Sequence, residues 1–228
     1  MGKTTFKIAI DGPVAAGKGT TARLLADRLK FLYVDTGALY RAITLFAIRE
    51  GKDWSREKEV VTLLETKQPR LELLIPKGEL KDGRLCTVLL NGEDVSWKIR
   101  TEEVGRASSP VAQYLPVRDY VNEVARSMAR AENVVMEGRD ITGVVLPDAD
   151  LKIYMDADPM ERAKRRHREL LVRGEDVNLQ KVYDDLMERD TRDKERNLKV
   201  IPGVWMLDTT GMTIDQVADT IVTRMKEL

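Results

Sequence analysis

Short apolar runs alternate along the chain with segments whose apolar residues recur at helical spacing. The apolar runs predict five core strands, at residues 6–11, 31–35, 133–138, 151–156 and 204–208. Helical spacing predicts helices at 17–30, 37–50, 111–130, 159–172, 178–196 and 213–227. Nearly continuous apolar runs are typical of strands covered on both faces, and their alternation with helices predicts an α/β fold with a parallel sheet.

One region departs from this alternation. Residues 69–95, PRLELLIPKGELKDGRLCTVLLNGEDV, have stretches of period two separated by Gly78, Gly83 and Gly92. Alternation interrupted by glycine turns predicts a small antiparallel meander. We therefore expect an insert in the α/β fold at this point.

The composition excludes several classes of function. Lys and Arg together number 38, and Asp and Glu together also number 38, so the formal net charge is zero. No net charge therefore draws the protein to nucleic acid or to an anionic membrane. Cys86 and His167 are the single cysteine and histidine, which excludes an intrachain disulfide, CxxC-type zinc sites and His-rich metal sites. Neither a membrane-length apolar run of about 18 residues nor a signal peptide is found. A cytoplasmic protein that binds neither membrane nor nucleic acid is expected.

The first strand runs directly into GPVAAGKGT, residues 12–20, which we call the phosphate loop. Gly12, Gly17 and Lys18 match the G-x-x-x-x-G-K pattern between a strand and a helix. Glycines let backbone N–H groups converge on an anion, and the helix dipole and the lysine add positive charge. Gly19 stands where the full motif has a hydroxyl residue, with Thr20 behind it. The alternative is a glycine-rich turn that binds nothing.

A phosphate loop alone does not separate nucleotide switches from kinases. Asp140–Gly143, DITG, fits the D-x-x-G element of GTP-binding switches, but the chain has no N-K-x-D guanine-binding motif. Two basic segments instead favour phosphoryl transfer, which needs fixed cations around the moving group. One is 186–196, LMERDTRDKER, where charge replaces the apolar stripe of a helix, and the other is 161–173, ERAKRRHRELLVR. A solvated helix end and a solvated basic helix are the respective alternatives.

The motifs IDGPVAAGKGT, VDTGALYR, NGEDVSWKIRTEEV, EGRDITGVVLPDADLKIYMDA and ERDTRDKER follow one another at compatible spacings. In this order they resemble the bacterial-type cytidylate kinases, within the nucleoside monophosphate kinases. The resemblance covers nearly the whole chain. It implies a single P-loop kinase domain over 1–228: a three-layer fold with a five-stranded parallel sheet flanked by helices. A monophosphate-binding β insert at about 62–100 and a helical lid at about 157–175 complete it.

The resemblance implies ATP-dependent phosphorylation of CMP and dCMP to CDP and dCDP, in pyrimidine nucleotide metabolism. Because the attacking phosphate oxygen is already anionic, no general base is needed. ATP would be bound with Mg²⁺ as cofactor, and no protein group is assigned as a direct metal ligand. Whether Thr20 contacts the ion directly or through water stays open. The residues expected to bind ATP are Gly12, Pro13, Val14, Ala15, Ala16, Gly17, Lys18, Gly19, Thr20, Thr21, Arg162 and Arg166, with Arg165 a further lid candidate.

The same resemblance implies which residues bind the acceptor nucleotide. Arg41, Arg139 and Arg196 would bind the acceptor phosphate, and Arg189 and Asp193 would lie against the sugar. Ser109, Arg118 and Asp140 would read the cytosine edge, where a carboxylate and an arginine complement an amino group beside acceptors. The expected substrate-binding residues are Thr36, Tyr40, Arg41, Ser109, Arg118, Arg139, Asp140, Arg189, Asp193 and Arg196, with Asp35 beside them. Lys18, Arg139, Arg189 and Arg196 would be catalytic.

Two positions depart from the family pattern: Thr36 replaces a serine, and Glu137 replaces an aspartate. Three alternatives to a CMP kinase remain at this level. A kinase of UMP, AMP or shikimate would lack the cytosine-reading set, an ATPase or switch would hydrolyse nucleotide without an acceptor, and a binding module would show no turnover. A monomer is expected, since no helix has a surplus apolar face.

Overall fold

The computed structural model describes residues 5–84, 86–172, 174–196 and 200–228, and the side chains of Lys194 and Arg196 lie outside this description. Its strands are β1 (Lys7–Asp11), β2 (Leu32–Asp35), β3 (Leu71–Leu74), β4 (Thr87–Leu90), β5 (Glu93–Asp94), β6 (Val134–Glu137), β7 (Leu151–Asp156) and β8 (Trp205–Asp208). Its α-helices are α1 (Lys18–Leu29), α2 (Thr36–Arg49), α3 (Glu57–Lys67), α4 (Glu102–Val111), α5 (Leu115–Ala131), α6 (Pro159–Val172), α7 (Leu179–Arg196) and α8 (Ile214–Met225).

Five strands form a parallel sheet in the order β2-β6-β1-β7-β8, flanked by helices. Strand β1 pairs in register with β7 from Ile8 opposite Leu151 to Asp11 opposite Tyr154. Strands β3, β4 and β5 form a separate antiparallel sheet, as the period-two pattern predicts. The α/β class, the five core strands to within one residue at each end, and the meander are therefore confirmed.

The described residues divide into two compact units. The central unit comprises Leu32–Val134, and the terminal unit comprises the segments up to Phe31 and from Val135 to Leu228. In the terminal unit, the buried core includes Ile10, Ile153 and Ile221, from β1, β7 and α8. In the central unit, the core includes Leu39 and Ile99, with α2 packed against α4 and α5. Within the described ranges, no helix has the length and apolarity that a membrane span requires.

The helix predicted over 111–130 is present as α5, which begins at Leu115 and ends at Ala131, whereas α4, which precedes it, was not predicted. Two helices, α4 and α5, occupy this region and are separated at residues 112–114. Pro110 lies in the last turn of α4, and Pro116 lies at the start of α5. Proline lacks the N–H group that a helix interior uses, but it fits the first turn of a helix. The two prolines therefore favour the end of α4 and the start of α5. Helix α3 was not predicted.

Helix α6 begins where the Asp158–Pro159 pair predicts. The Asp158 carboxylate accepts hydrogen bonds from the N–H groups of Met160 (2.9 Å) and Glu161 (3.0 Å). Helix α8 begins with a capping box, in which Thr213 Oγ1 accepts from the Gln216 N–H and the Gln216 side chain accepts from the Thr213 N–H. These side chains satisfy N–H groups that have no partner inside the helix.

We predict that Thr213→Ala lowers the free energy of unfolding by about 1 kcal/mol, because the substitution removes the oxygen that caps α8. Urea denaturation followed by circular dichroism measures this change. Thr220→Ala is the matched control, since Thr220 Oγ1 donates to the Gln216 carbonyl in the middle of the same helix (2.8 Å). Equal losses for the two variants would contradict the capping role.

Candidate active site

The phosphate loop joins β1 to α1 by a backbone path that ordinary residues adopt with difficulty. Gly12 has φ 148° and Gly17 has φ 92°, and Ala15 lies in the left-handed region at φ 61°. A Cβ on Gly12 would lie 2.0 Å from the carbonyl oxygen of Met155, so no side chain fits there. The loop therefore lies directly against the end of β7.

Helix α1 begins at Lys18 without a side-chain cap. Its first intrahelical bond runs from the Thr21 N–H to the Gly17 carbonyl (2.9 Å), so the earlier N–H groups have no acceptor within the helix. The Lys18 ammonium folds back over the loop and donates to the Pro13 carbonyl (2.8 Å). N–H groups without an acceptor in the helix, a helix dipole and a lysine are the groups from which the motif predicts an anion cradle.

Positive charges are gathered around Lys18 with carboxylates beside them. Burial lowers the pKa of Lys18 from 10.5 to about 8; Glu137 and Asp11 oppose this shift, and Arg139 and Arg189 add to it. Burial also lowers the pKa of Arg139, against the opposing effect of Glu137. The terminal unit thus brings together three of the four predicted catalytic cations: Lys18, Arg139 and Arg189.

Helix α7 presents acidic side chains where its apolar stripe ends. Val182 and Leu186 are buried, and Asp190 continues the same face at 6% exposure. Asp193, one turn further, forms an ion pair with Arg139. Arg189 lies on the exposed side of the helix. The predicted inward position of charge on this helix therefore holds for Asp190, and Arg189 departs from it.

The three arginines of the predicted lid, all on α6, have different surroundings. Arg162 is 4% exposed, and its guanidinium donates to the carbonyls of Val14 (3.1 Å) and Ala157 (3.1 Å) and pairs with Asp190 (2.7 Å). Arg166 pairs with Glu169 on its own helix (2.8 Å). Arg162 therefore ties α6 and α7 to the phosphate loop through protein contacts.

Arg165 is the lid arginine beside the loop backbone. Its Nη1 would lie 3.9 Å from a Cβ placed on Gly17, and its guanidinium donates to the Thr209 carbonyl (2.9 Å) and hydroxyl (3.3 Å). Thr209 is buried, and its hydroxyl also lies within hydrogen-bonding distance of the Ala16 carbonyl (3.3 Å). Thr209, which follows β8, is a residue that sequence reasoning missed, because it belongs to no recognisable motif.

The DTGALYR segment lies in the central unit and forms the start of α2. The Asp35 carboxylate caps this helix by accepting from the Ala38 N–H (3.0 Å), and Arg100 lies 3.9 Å from it. Thr36 is buried, whereas Tyr40 and Arg41, one turn later, are half-buried. Asp35 therefore fixes the start of the helix that carries the other three side chains.

Ser109 and Arg118 belong to the same unit, on α4 and α5. Ser109 is exposed in the last turn of α4, so it does not cap a helix starting at Pro110. Arg118 reaches back to donate to the Ala112 carbonyl (3.2 Å) in the segment between the two helices. Within the central unit, α2 thus packs against both α4 and α5, the helices that carry Ser109 and Arg118.

The remaining predicted residues lie in the terminal unit or outside the description. Asp140 follows Arg139 and precedes a π-helical turn at Ile141–Val145. Thr20 is exposed in the first turn of α1, and Thr21 is buried behind it. The Arg196 side chain lies outside the described part of the structure, so its predicted role stays a prediction.

The donor set suits a metal ion that arrives with a nucleotide. Among the described residues, no three His, Cys, Asp or Glu side chains are grouped so that they could hold a metal ion. The carboxylate nearest the start of the loop, Asp11, is 1% exposed and accepts hydrogen bonds from protein groups. Mg²⁺ is commonly held by substrate phosphates and few protein ligands, so this cradle fits a phosphate-borne ion.

Comparison with known proteins finds similar sequences over nearly the whole chain. A sequence model described as cytidylate kinase matches residues 8–227. The chain is 41% identical over 219 residues to the cytidylate kinase of Herpetosiphon aurantiacus, covering 96% of this chain and 93% of that one. It is 43% identical over 220 residues to the cytidylate kinase of Chlorobaculum tepidum, covering 94% and 90%.

A solved structure shares the fold at much lower sequence identity. An uncharacterised protein from Eubacterium ventriosum aligns with a TM-score of 0.55 and 12% identity, covering 98% of this chain and all of that one. This likeness concerns the fold alone. The family match and the two relatives each span nearly the whole chain. The chain therefore belongs to the cytidylate kinase family.

Proposed function

We propose that the protein transfers the γ-phosphoryl group of ATP to CMP and dCMP, giving ADP with CDP or dCDP. The observation that carries this proposal is the cradle at the start of α1, where Lys18 lies over the phosphate loop among Arg139 and Arg189. Membership of the cytidylate kinase family supplies the acceptor. A cytoplasmic, monomeric enzyme of pyrimidine nucleotide metabolism is part of the same proposal.

The donor triphosphate binds to residues 12–21. The loop amides and the α1 dipole bind the phosphate oxygens, and Lys18 turns from the Pro13 carbonyl to the outer phosphates. Mg²⁺ supplies additional positive charge on the phosphates when the nucleotide carries it. Arg166 and Arg162 belong to the proposed ATP set as lid residues, and Arg165 joins them because it lies beside Gly17.

The residues proposed to bind the acceptor nucleotide are those of the family motifs. They are Thr36, Tyr40, Arg41, Ser109, Arg118, Arg139, Asp140, Arg189, Asp193 and Arg196. Ser109, Arg118 and Asp140 select cytosine, since a carboxylate accepts from its amino group and an arginine donates to its ring acceptors.

Catalysis requires alignment of the two nucleotides and neutralisation of the charge on the transferring phosphoryl group. The attacking phosphate oxygen carries no proton that must be removed, so the reaction needs no general base. Lys18, Arg139, Arg189 and Arg196 neutralise charge on the transferring group. Binding of both substrates orders the lid and excludes water, which is the competing acceptor.

The direct test is release of ADP from Mg·ATP with CMP, dCMP, UMP, AMP, GMP, shikimate or no acceptor. We expect turnover with CMP and dCMP well above that with every other addition. Lys18→Ala, purified in the same way, is the control for contaminating kinases and should lose at least about 100-fold in activity. Release without an acceptor would favour an ATPase, and preference for another acceptor would replace CMP in the proposal.

Base selection tests the assignment of Asp140. Asp140→Ala removes the proposed acceptor for the cytosine amino group, so the ratio of kcat/KM for CMP over UMP should fall by about 10-fold or more. Asp148→Ala is the matched control, because Asp148 is an exposed carboxylate that pairs with Lys7 (2.6 Å). An unchanged ratio in Asp140→Ala would remove this residue from the cytosine site.

Nucleotide affinity should depend on pH through Lys18. The pKa of Lys18 in the free protein is about 8, so the charge is lost as the pH rises through 8. Bound triphosphate favours the charged form, which raises the pKa, so ATP binding takes up a proton and affinity falls by up to about tenfold per pH unit above 8. Calorimetric titration from pH 7 to 9.5, in buffers of different ionisation enthalpy, measures both effects.

Lys18→Arg separates this effect from other titrations, since a guanidinium keeps its charge throughout the range. The variant should bind ATP with an affinity that changes little between pH 7 and 9.5. A wild-type affinity that is equally flat would show that Lys18 is charged throughout and would contradict the lowered pKa.

A further inference from the structure

Asp11 ends β1 immediately before the phosphate loop and is 1% exposed. Its carboxylate accepts three hydrogen bonds from residues 130 or more positions later in the chain. Oδ1 accepts from the Ile141 N–H (2.8 Å), and Oδ2 accepts from the Thr142 N–H (2.8 Å) and the Thr142 hydroxyl (2.6 Å). A single buried carboxylate thus joins the start of the phosphate loop to the segment that follows Arg139 and Asp140.

The segment that receives these bonds is a single π-helical turn, Ile141–Val145. The Leu146 N–H closes it on the Ile141 carbonyl (2.7 Å), and the Val145 N–H donates to the Asp140 carbonyl (3.2 Å). The first N–H groups of such a turn have no partner within it, and buried N–H groups without an acceptor are costly. Asp11 therefore caps the turn from a distant point in the sequence.

The three groups that donate to Asp11 are better matched by a carboxylate than by an amide side chain. Two backbone N–H groups and a hydroxyl all need an acceptor, and an ionised carboxylate only accepts. An asparagine of the same size would turn an NH₂ group toward at least one of these donors. The neighbouring Gly138 N–H donates to the Ile10 carbonyl (3.0 Å), so the β6 end is also held beside β1.

We infer that Asp11 is a positioning residue, which fixes Arg139 and Asp140 relative to the phosphate loop. Gly12 directly follows Asp11, and Asp140 directly precedes the capped turn, so the carboxylate sets the distance between the two segments. In-line transfer is sensitive to displacements of about 1 Å, which can cost about 100-fold in rate. The catalytic part of this inference rests on the proposed function.

Three substitutions test the inference. In Asp11→Asn, kcat/KM for CMP should fall by about 100-fold. The Kd of ATP is compared in Thr142→Val, which keeps the Asp11 charge beside Lys18, and should stay close to that of the wild type when measured calorimetrically. In Thr142→Val, which loses one hydrogen bond to the carboxylate, the fall in kcat/KM should be about 10-fold. Thr142→Ser keeps the hydroxyl and should recover most of the loss. The loss should appear in the KM for CMP and in kcat, because acceptor binding and alignment both change.

Val217→Ala is the control for a merely structural effect. Val217 is 3% exposed on α8, so the substitution destabilises the protein away from the turn. It should lower the melting temperature and leave the kinetics of the folded enzyme unchanged. If Asp11→Asn and Thr142→Val behave in the same way as this control, the inference is wrong. If Asp11→Asn does not fold, the comparison of Thr142→Val with Thr142→Ser decides.

Amide hydrogen exchange gives a readout that does not depend on the proposed reaction. Amide exchange at residues 141 and 142 should be faster in Thr142→Val and Asp11→Asn than in the wild type. Amide exchange in α8 should be the same in all three proteins. Unchanged exchange at these two amides would overturn the capping role. An inactive wild-type protein would count against the proposed function, and the exchange result would then decide whether Asp11 fixes the turn.

Discussion

The close approach of β1 and β7 at Gly12 is the constraint on which the site depends. Because the carbonyl of Met155 occupies the space that a Cβ would need, only glycine fits at this residue, and it adopts a φ of 148° that side-chain-bearing residues rarely take. The turn continues through Ala15 and Gly17 in left-handed conformations and ends with α1 pointing its first N–H groups at the loop. The backbone of the phosphate loop is thus determined by packing, before any ligand binds.

Buried charge connects this loop to the helices around it. Arg162 would be costly to bury alone, and its partners Asp190 and the carbonyls of Val14 and Ala157 satisfy it. Val14 and Ala15 also pack against the apolar cluster of α6 and α7. Movement of α6 and α7 would therefore be transmitted to the loop backbone, where the proposed donor phosphates bind.

The sequence predicts best those parts that local pattern determines. The core strands follow from apolar runs and the loop from its glycines, and the structure has both. Helix α4 escaped prediction because only three of its ten residues, Val104, Ala107 and Val111, are buried and apolar. The roles of Asp11 and Thr209 depend on contacts with residues more than 100 positions away, which no local pattern reveals.

The arrangement of charges gives a physical reason for catalysis without a general base. Removing Lys18 and Arg139 from water costs free energy, and the lowered pKa of each reflects that cost. The carboxylates Glu137 and Asp193 offset the cost in the free protein. In the proposed reaction, the incoming phosphates meet cations that folding has already desolvated and that need little reorganisation. Electrostatic stabilisation of a transferring phosphoryl group is strongest under that condition.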